Sequence, residues 1–138
     1  MDEPTHSDHL SGLLDDVRLR VPPHSAFLRA VRLVAADVAA RGELDCEEVD
    51  DFRIAVDELV HAAMTATDHD IELSFRCGPR RAEVVGTATG RGGGVPAVLP
   101  EISIAILSGV CDRFEFDTSR TEIVFSVAKH AKLPARRR

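Results

Sequence analysis

A chain of 138 residues with 44% hydrophobic content has the size of one domain and enough apolar material for a real core, while a formal net charge of -6 disfavours a body that binds phosphate backbones. No apolar run approaches the roughly 20 residues needed to span a bilayer, and the acidic N-terminus does not resemble a secretion signal, so a cytoplasmic protein is expected. The three cysteines, Cys46, Cys77 and Cys111, include no CxxC pair and are expected to be buried thiols, with neither a disulfide nor a metal site.

Residues 1–13 mix charge, histidine and small polar groups without periodicity and are expected to be disordered. From Asp16 to Val21 the pattern alternates, with Val17, Leu19 and Val21 against Asp16, Arg18 and Arg20, the period of a half-buried strand that Pro22-Pro23 ends. The period then changes. Phe27, Val31, Val34 and Val38 predict the buried stripe of a helix that begins at Ser25 and stops at Arg41-Gly42. Asp45 is placed to N-cap a second helix, Glu48 to complete a capping box, and Val49, Phe52, Val56, Leu59 and Ala63 to form its buried face.

Ile71, Leu73, Phe75 and Cys77 alternate with polar residues up to Gly78-Pro79, and the run from Ala82 to Thr87 completes a predicted hairpin. Gly90-Arg91-Gly92-Gly93-Gly94 reads as a flexible loop. Pro100 suits the first turn of a third helix running to about Cys111, with Ile102, Ile106 and Val110 on one side and Leu107 nearby, all needing a sheet to cover them. Phe114 and Phe116, then Ile123, Phe125 and Val127, alternate on either side of a turn at Thr118-Ser119-Arg120 and close the domain, which spans residues 14–130. Residues 131–138 form a basic tail; Lys129, Lys132, Arg136, Arg137 and Arg138 put five positive charges in the last ten positions of an otherwise acidic chain. The tail is expected to be solvated. Strand faces that alternate apolar and polar cannot be buried on both sides, so the element order predicts an α+β two-layer sandwich, with a mostly antiparallel sheet covered on one face by about three helices.

The segment Phe52-Arg53-Ile54-Ala55-Val56-Asp57-Glu58-Leu59, together with Ile106-Leu107-Ser108-Gly109-Val110-Cys111-Asp112 before the final hairpin, resembles the anti-sigma factors of the RsbW and SpoIIAB type, in their actinobacterial stress-response branch. These are built on the histidine-kinase-like (GHKL) ATPase fold, and the resemblance covers about residues 14–130. It implies a glutamate at Glu58 that activates an attacking hydroxyl, and an asparagine four residues later that holds magnesium. Four residues along a helix is about 6 Å of rise with about 40° of rotation, so the two positions share a face. The second is Ala62, which has no oxygen for a cation that demands oxygen ligands. His61 lies about 100° around the helix and suits magnesium poorly.

In the family's second box, which pairs an adenine-binding aspartate with two glycines, Gly90 and Gly92 match and the aspartate is Ala88. Where a glycine-rich turn would wrap the triphosphate stands Val98-Leu99-Pro100-Glu101, whose carboxylate already occupies the favourable site for negative charge at a helix N-terminus. The resemblance with these losses implies an anti-sigma factor that sequesters an alternative sigma factor, is released by an anti-anti-sigma (STAS) protein, pairs as a homodimer, contacts neither DNA nor membrane, and needs no cofactor.

Two other functions stay open at this point. One is an active serine kinase that phosphorylates the anti-anti-sigma protein with Mg-ATP, Glu58 being the catalytic base. The other is a ligand-gated binder, in which Gly90, Arg91 and Gly92 form a residual loop for a nucleotide-like effector and Arg91 meets a phosphate. Against both stand plainer readings, of Glu58 as a solvated helix residue and of the glycine run as a connection. Glu58-Leu59-Val60-His61 also fits the Glu-x-x-His element of di-iron bundles, but no second copy exists and no metal site is expected.

Overall fold

The computed structural model describes residues 16–91, 98–118 and 121–132. The expected disorder of residues 1–13, the glycine run from Gly92 onward, the centre of the last turn and the basic tail from residue 133 lie outside the described residues. Among these residues the order is β1 (Asp16–Val21), a 3-10 turn (Ser25–Phe27), α1 (Leu28–Arg41), α2 (Cys46–Met64), β2 (Ile71–Gly78), β3 (Arg81–Thr89), α3 (Glu101–Val110), β4 (Arg113–Asp117) and β5 (Glu122–His130).

The five strands form one sheet in the order β1-β2-β3-β5-β4, and every neighbouring pair is antiparallel. Register follows from the alternation. Leu19 opposes Leu73, Phe75 opposes Val84, Val84 opposes Val127, and Phe125 opposes Phe116, so one face carries the apolar set and the three helices cover it. The opposite face carries Arg18, Arg20, Glu72, Arg76, Glu83 and Glu115. The result is the two-layer α+β sandwich that the strand patterns imply.

The core centres on α2, whose Phe52, Ala55, Val56, Leu59, Val60 and Ala63 are fully buried between α1, α3 and the β3–β5 pair. Its start is fixed by a complete capping box: the Asp45 carboxylate accepts from the Glu48 amide at 2.8 Å and the Glu48 carboxylate accepts from the Asp45 amide at 2.9 Å. Phe125 is accommodated by Gly86 on the neighbouring strand, because a Cβ there would sit 2.1 Å from the tip of the ring. The β2–β3 turn is only Pro79-Arg80, with Arg80 at φ 62°, and the Arg80 side chain donates to the Lys132 carbonyl.

Three sequence expectations are corrected. The buried stripe of α1 is Leu28, Val31, Ala35, Val38 and Ala39; Phe27 falls in the preceding 3-10 turn and is 41% exposed, and Val34 lies half-buried on the flank. The tighter 3-10 geometry rotates Phe27 off the stripe. In α3, Pro100 is the N-cap and lies outside the helix, and the buried residues are Ser103 and Leu107, whereas Ile102 is 67% exposed. Ile102, Ile104, Ile106, Leu107 and Val110 spread over more than half of the helix circumference, so periodicity does not mark the covered side, and what covers α3 is chiefly α2. Finally, Cys46 is exposed at the first position of α2, Cys111 is half-buried, and only Cys77 is buried.

Candidate functional site

Helix α2 carries two faces of different use. Asp57 points to the α1 side, where its carboxylate meets Arg32 at 2.8 Å. About 100° further around, Glu58 faces the other flank, on the side where Asp51 reaches Lys129 of β5 at 3.3 Å. Glu58 is half-buried, and Ala62 one turn on is also half-buried, packed against the core. The two residues therefore share the face that the helical spacing assigns to them.

Ala88 is on the helix side of β3, opposite Ile123, and is 7% exposed within the apolar core cluster that also contains Leu99 and Leu107. Its methyl group presents no hydrogen-bonding atom. Glu101 occupies the first turn of α3 and is exposed.

Gly90 and Arg91 are placed by contacts on both sides. The Gly90 amide donates to the Thr121 carbonyl at 2.7 Å, and Gly90 forms an isolated antiparallel bridge with Thr67. Arg91 turns back toward the C-terminal end of α2. Its Nε donates to Asp68 Oδ1 at 3.0 Å and its Nη1 to the Thr65 carbonyl at 2.7 Å, so the guanidinium supplies positive charge where the helix leaves carbonyls unpaired. Gly92 lies outside the described residues.

Several contacts that carry this arrangement have no signal in the sequence pattern. Thr67 is 1% exposed; its hydroxyl accepts from the His69 amide at 2.9 Å and donates to the Thr89 carbonyl, joining the exit of α2 to the end of β3. Glu48, 3% exposed, uses its second carboxylate oxygen to accept from the Lys132 amide at 2.8 Å. Lys129 is a buried cation neutralised by Asp51. A lone threonine or lysine has no periodic signature, but Lys129 sits on the inward phase of β5 after Ile123, Phe125 and Val127, and an inward lysine requires a carboxylate partner. Among the described residues no group of three or more His, Cys, Asp or Glu is placed to hold a metal ion. No described helix is long and apolar enough to cross a membrane.

No family model matches this chain, and no curated protein matches it in sequence. Its fold is similar to the crystal structure of the RsbU and RsbW domains of Rv1364c from Mycobacterium tuberculosis, with a TM-score of 0.67 and 16% identical residues over 88% of this chain. The aligned part is 34% of that protein's chain, so this chain spans about a third of its length. At that identity the likeness is one of fold.

Proposed function

We propose that this chain is a cytoplasmic anti-sigma factor that works by binding alone. It sequesters an alternative sigma factor, yields it to an anti-anti-sigma (STAS) protein, and pairs with a second copy through the open face of its sheet. The observation that carries this reading is the pair of methyl groups at Ala62 and Ala88. Where a fold of this kind would need a magnesium ligand and an adenine acceptor, these side chains offer neither, and Ala88 is closed into the apolar core. The residues present do not fit Mg-ATP. Loss of a charge-assisted hydrogen bond worth about 1.5–3 kcal/mol weakens binding by one to two decades, and loss of the metal ligand adds to it.

What remains is a scaffold whose fold resembles that of a structure containing an RsbW domain, with an acidic body suited to a basic protein surface. Arg91 already has a carboxylate and a carbonyl as partners. A phosphate-bearing effector would have to displace Asp68 to use it, which favours the binding-only reading over the ligand-gated one.

Calorimetric titration with ATP and magnesium tests the absence of nucleotide, and co-purification with each alternative sigma factor of the same genome tests the partner. The expected results are no heat of nucleotide binding and a stable complex with one sigma factor that a STAS protein dissolves. Micromolar nucleotide binding with phosphate transfer to the STAS protein would replace this reading with a kinase using Glu58. Failure to retain any sigma factor would remove the anti-sigma assignment.

A further inference from the structure

Helix α3 turns an uncharged side to solvent. Its one charged residue is Glu101 in the first turn, and Ile102, Ala105 and Gly109, all exposed, recur at i, i+3 and i+7, about 140–160° around the axis from the buried Leu107. A surface helix ordinarily places charged or polar residues there. Gly109 has no reason within the chain to be glycine. A Cβ at that position would meet nothing within 4 Å, and glycine inside a helix costs about 1 kcal/mol relative to alanine.

The neighbouring helix borders that side with carboxylates. Helix α1 packs on the Asp57 flank of α2, and α3 packs on the other flank. Along the α3 flank Glu47, Asp51, Ile54 and Glu58 recur at i, i+4, i+7 and i+11, a stripe of three carboxylates around an exposed isoleucine. The two helices run antiparallel, because β4 follows α3 directly and begins opposite Ala128, next to the Lys129 that reaches Asp51 in the first half of α2. Ile102 therefore lies toward Glu58, and Gly109 toward Glu47. Asp51 is neutralised by Lys129, whereas Glu47, Glu58 and Glu101 form no ion pair among the described residues. The unpaired charges that border the uncharged stripe are all negative.

We propose that this α2–α3 surface docks one amphipathic helix of a partner protein, with the partner's apolar stripe on Ile54, Ile102, Ala105 and Gly109 and its Lys or Arg residues against Glu47, Glu58 and Glu101. A partner segment of about ten residues spans about 15 Å, the length of α3 itself. Gly109 lets the incoming backbone approach more closely than any side chain would allow. The occupant rests on the anti-sigma reading, which makes it a helix of the sigma factor; the surface that holds it is what this inference adds.

The test measures sigma-factor affinity by calorimetry for the native chain and for Gly109→Leu, Glu47→Lys and Leu33→Asp, with the urea midpoint and sedimentation of each. Gly109→Leu fills open space and removes a glycine from a helix, so its urea midpoint is expected to hold or rise while its Kd rises about tenfold. Glu47→Lys is expected to raise Kd less and to flatten its dependence on salt, and Leu33→Asp, exposed on α1, to leave it unchanged. Native affinity in both Gly109→Leu and Glu47→Lys would overturn the docking surface and leave the anti-sigma reading standing. A native chain that retains no sigma factor would overturn both. A Gly109→Leu chain that keeps the sigma factor but loses the STAS protein, or loses a dimer, would assign the surface to that other occupant and equally overturn the proposal.

Discussion

Glu43 holds the left-handed conformation, φ 66°, that follows α1. The Glu43 amide bonds the Ala40 carbonyl at 3.1 Å and the Leu44 amide bonds the Ala39 carbonyl at 3.3 Å, which makes a Schellman motif with the glutamate where glycine is usual. A side chain in that region costs about 1 kcal/mol, so Glu43→Gly is expected to raise the urea midpoint by a corresponding stabilisation of about 1 kcal/mol, with m unchanged. The adjacent Gly42 marks the helix stop for a different reason: its φ is ordinary, and a Cβ there would lie 2.3 Å from the Arg81 carbonyl oxygen. The sequence therefore signals the end of α1 but not which of the two residues takes the unusual backbone. Cys111 illustrates environment at the same scale. Burial, the largest cause, pushes its thiol from 9.0 up to about 11, and its Sγ donates to the Leu107 carbonyl at 3.2 Å. Between those values the folded chain keeps a proton that the unfolded chain releases, so the contribution to stability is unchanged below the lower value and falls as pH rises through that window. Denaturant titrations from pH 8 to 10.5 should show a steeper loss for the native chain than for Cys111→Ala; parallel curves would refute the shift.

Among the elements, α2 is the one whose sequence specifies it most completely, because a local capping signal and a long apolar stripe agree. Glu48 exceeds its predicted role, since it also binds the Lys132 amide and so ties the exit of β5 to the start of the helix. Glu48→Ala removes two bonds to a buried carboxylate and is expected to cost about 2–4 kcal/mol, with Asp45→Ala costing only about 1 kcal/mol; equal losses in urea titrations would mean that the Lys132 contact contributes nothing. Helix α3 is the opposite case. Ile102, Ile104, Ile106, Leu107 and Val110 leave its orientation undetermined by periodicity, and only packing against α2 decides that Leu107 goes inward. Leu107→Ala is accordingly expected to cost about 2–5 kcal/mol and Ile102→Ala within about 0.5 kcal/mol. The reverse order in thermal or chemical unfolding would show that the helix is rotated about its axis.

At the scale of the molecule, the layer architecture is legible because the strands alternate apolar and polar, and among the described residues no helix covers the second face. The candidate site is legible only in its spacing. Glu58 and Ala62 fall on one face as helical periodicity requires, but nothing in the order of residues reveals that Arg91 binds Asp68 and Thr65, or that Thr67 joins the ends of α2 and β3, because those contacts are long-range pairings of common polar residues. The open face tests the proposed homodimer. Val85 on β3 and Val124 on β5 stand exposed near its centre, 45% and 38% accessible. The charges around them are mixed, with Arg18, Arg20 and Arg76 beside Asp16 and Glu72 toward the β1 edge, and Glu115, Asp117 and Glu122 with Arg113 toward the β4 edge. Two sheets stacked about a two-fold axis would cover both valines. Val85→Arg would place a cation against that centre without touching the core, and sedimentation velocity is expected to show a dimer for the native chain and a monomer with unchanged circular dichroism for the variant. A native chain that sediments as a monomer would end the homodimer, and a variant that remains fully dimeric would move the contact to another face.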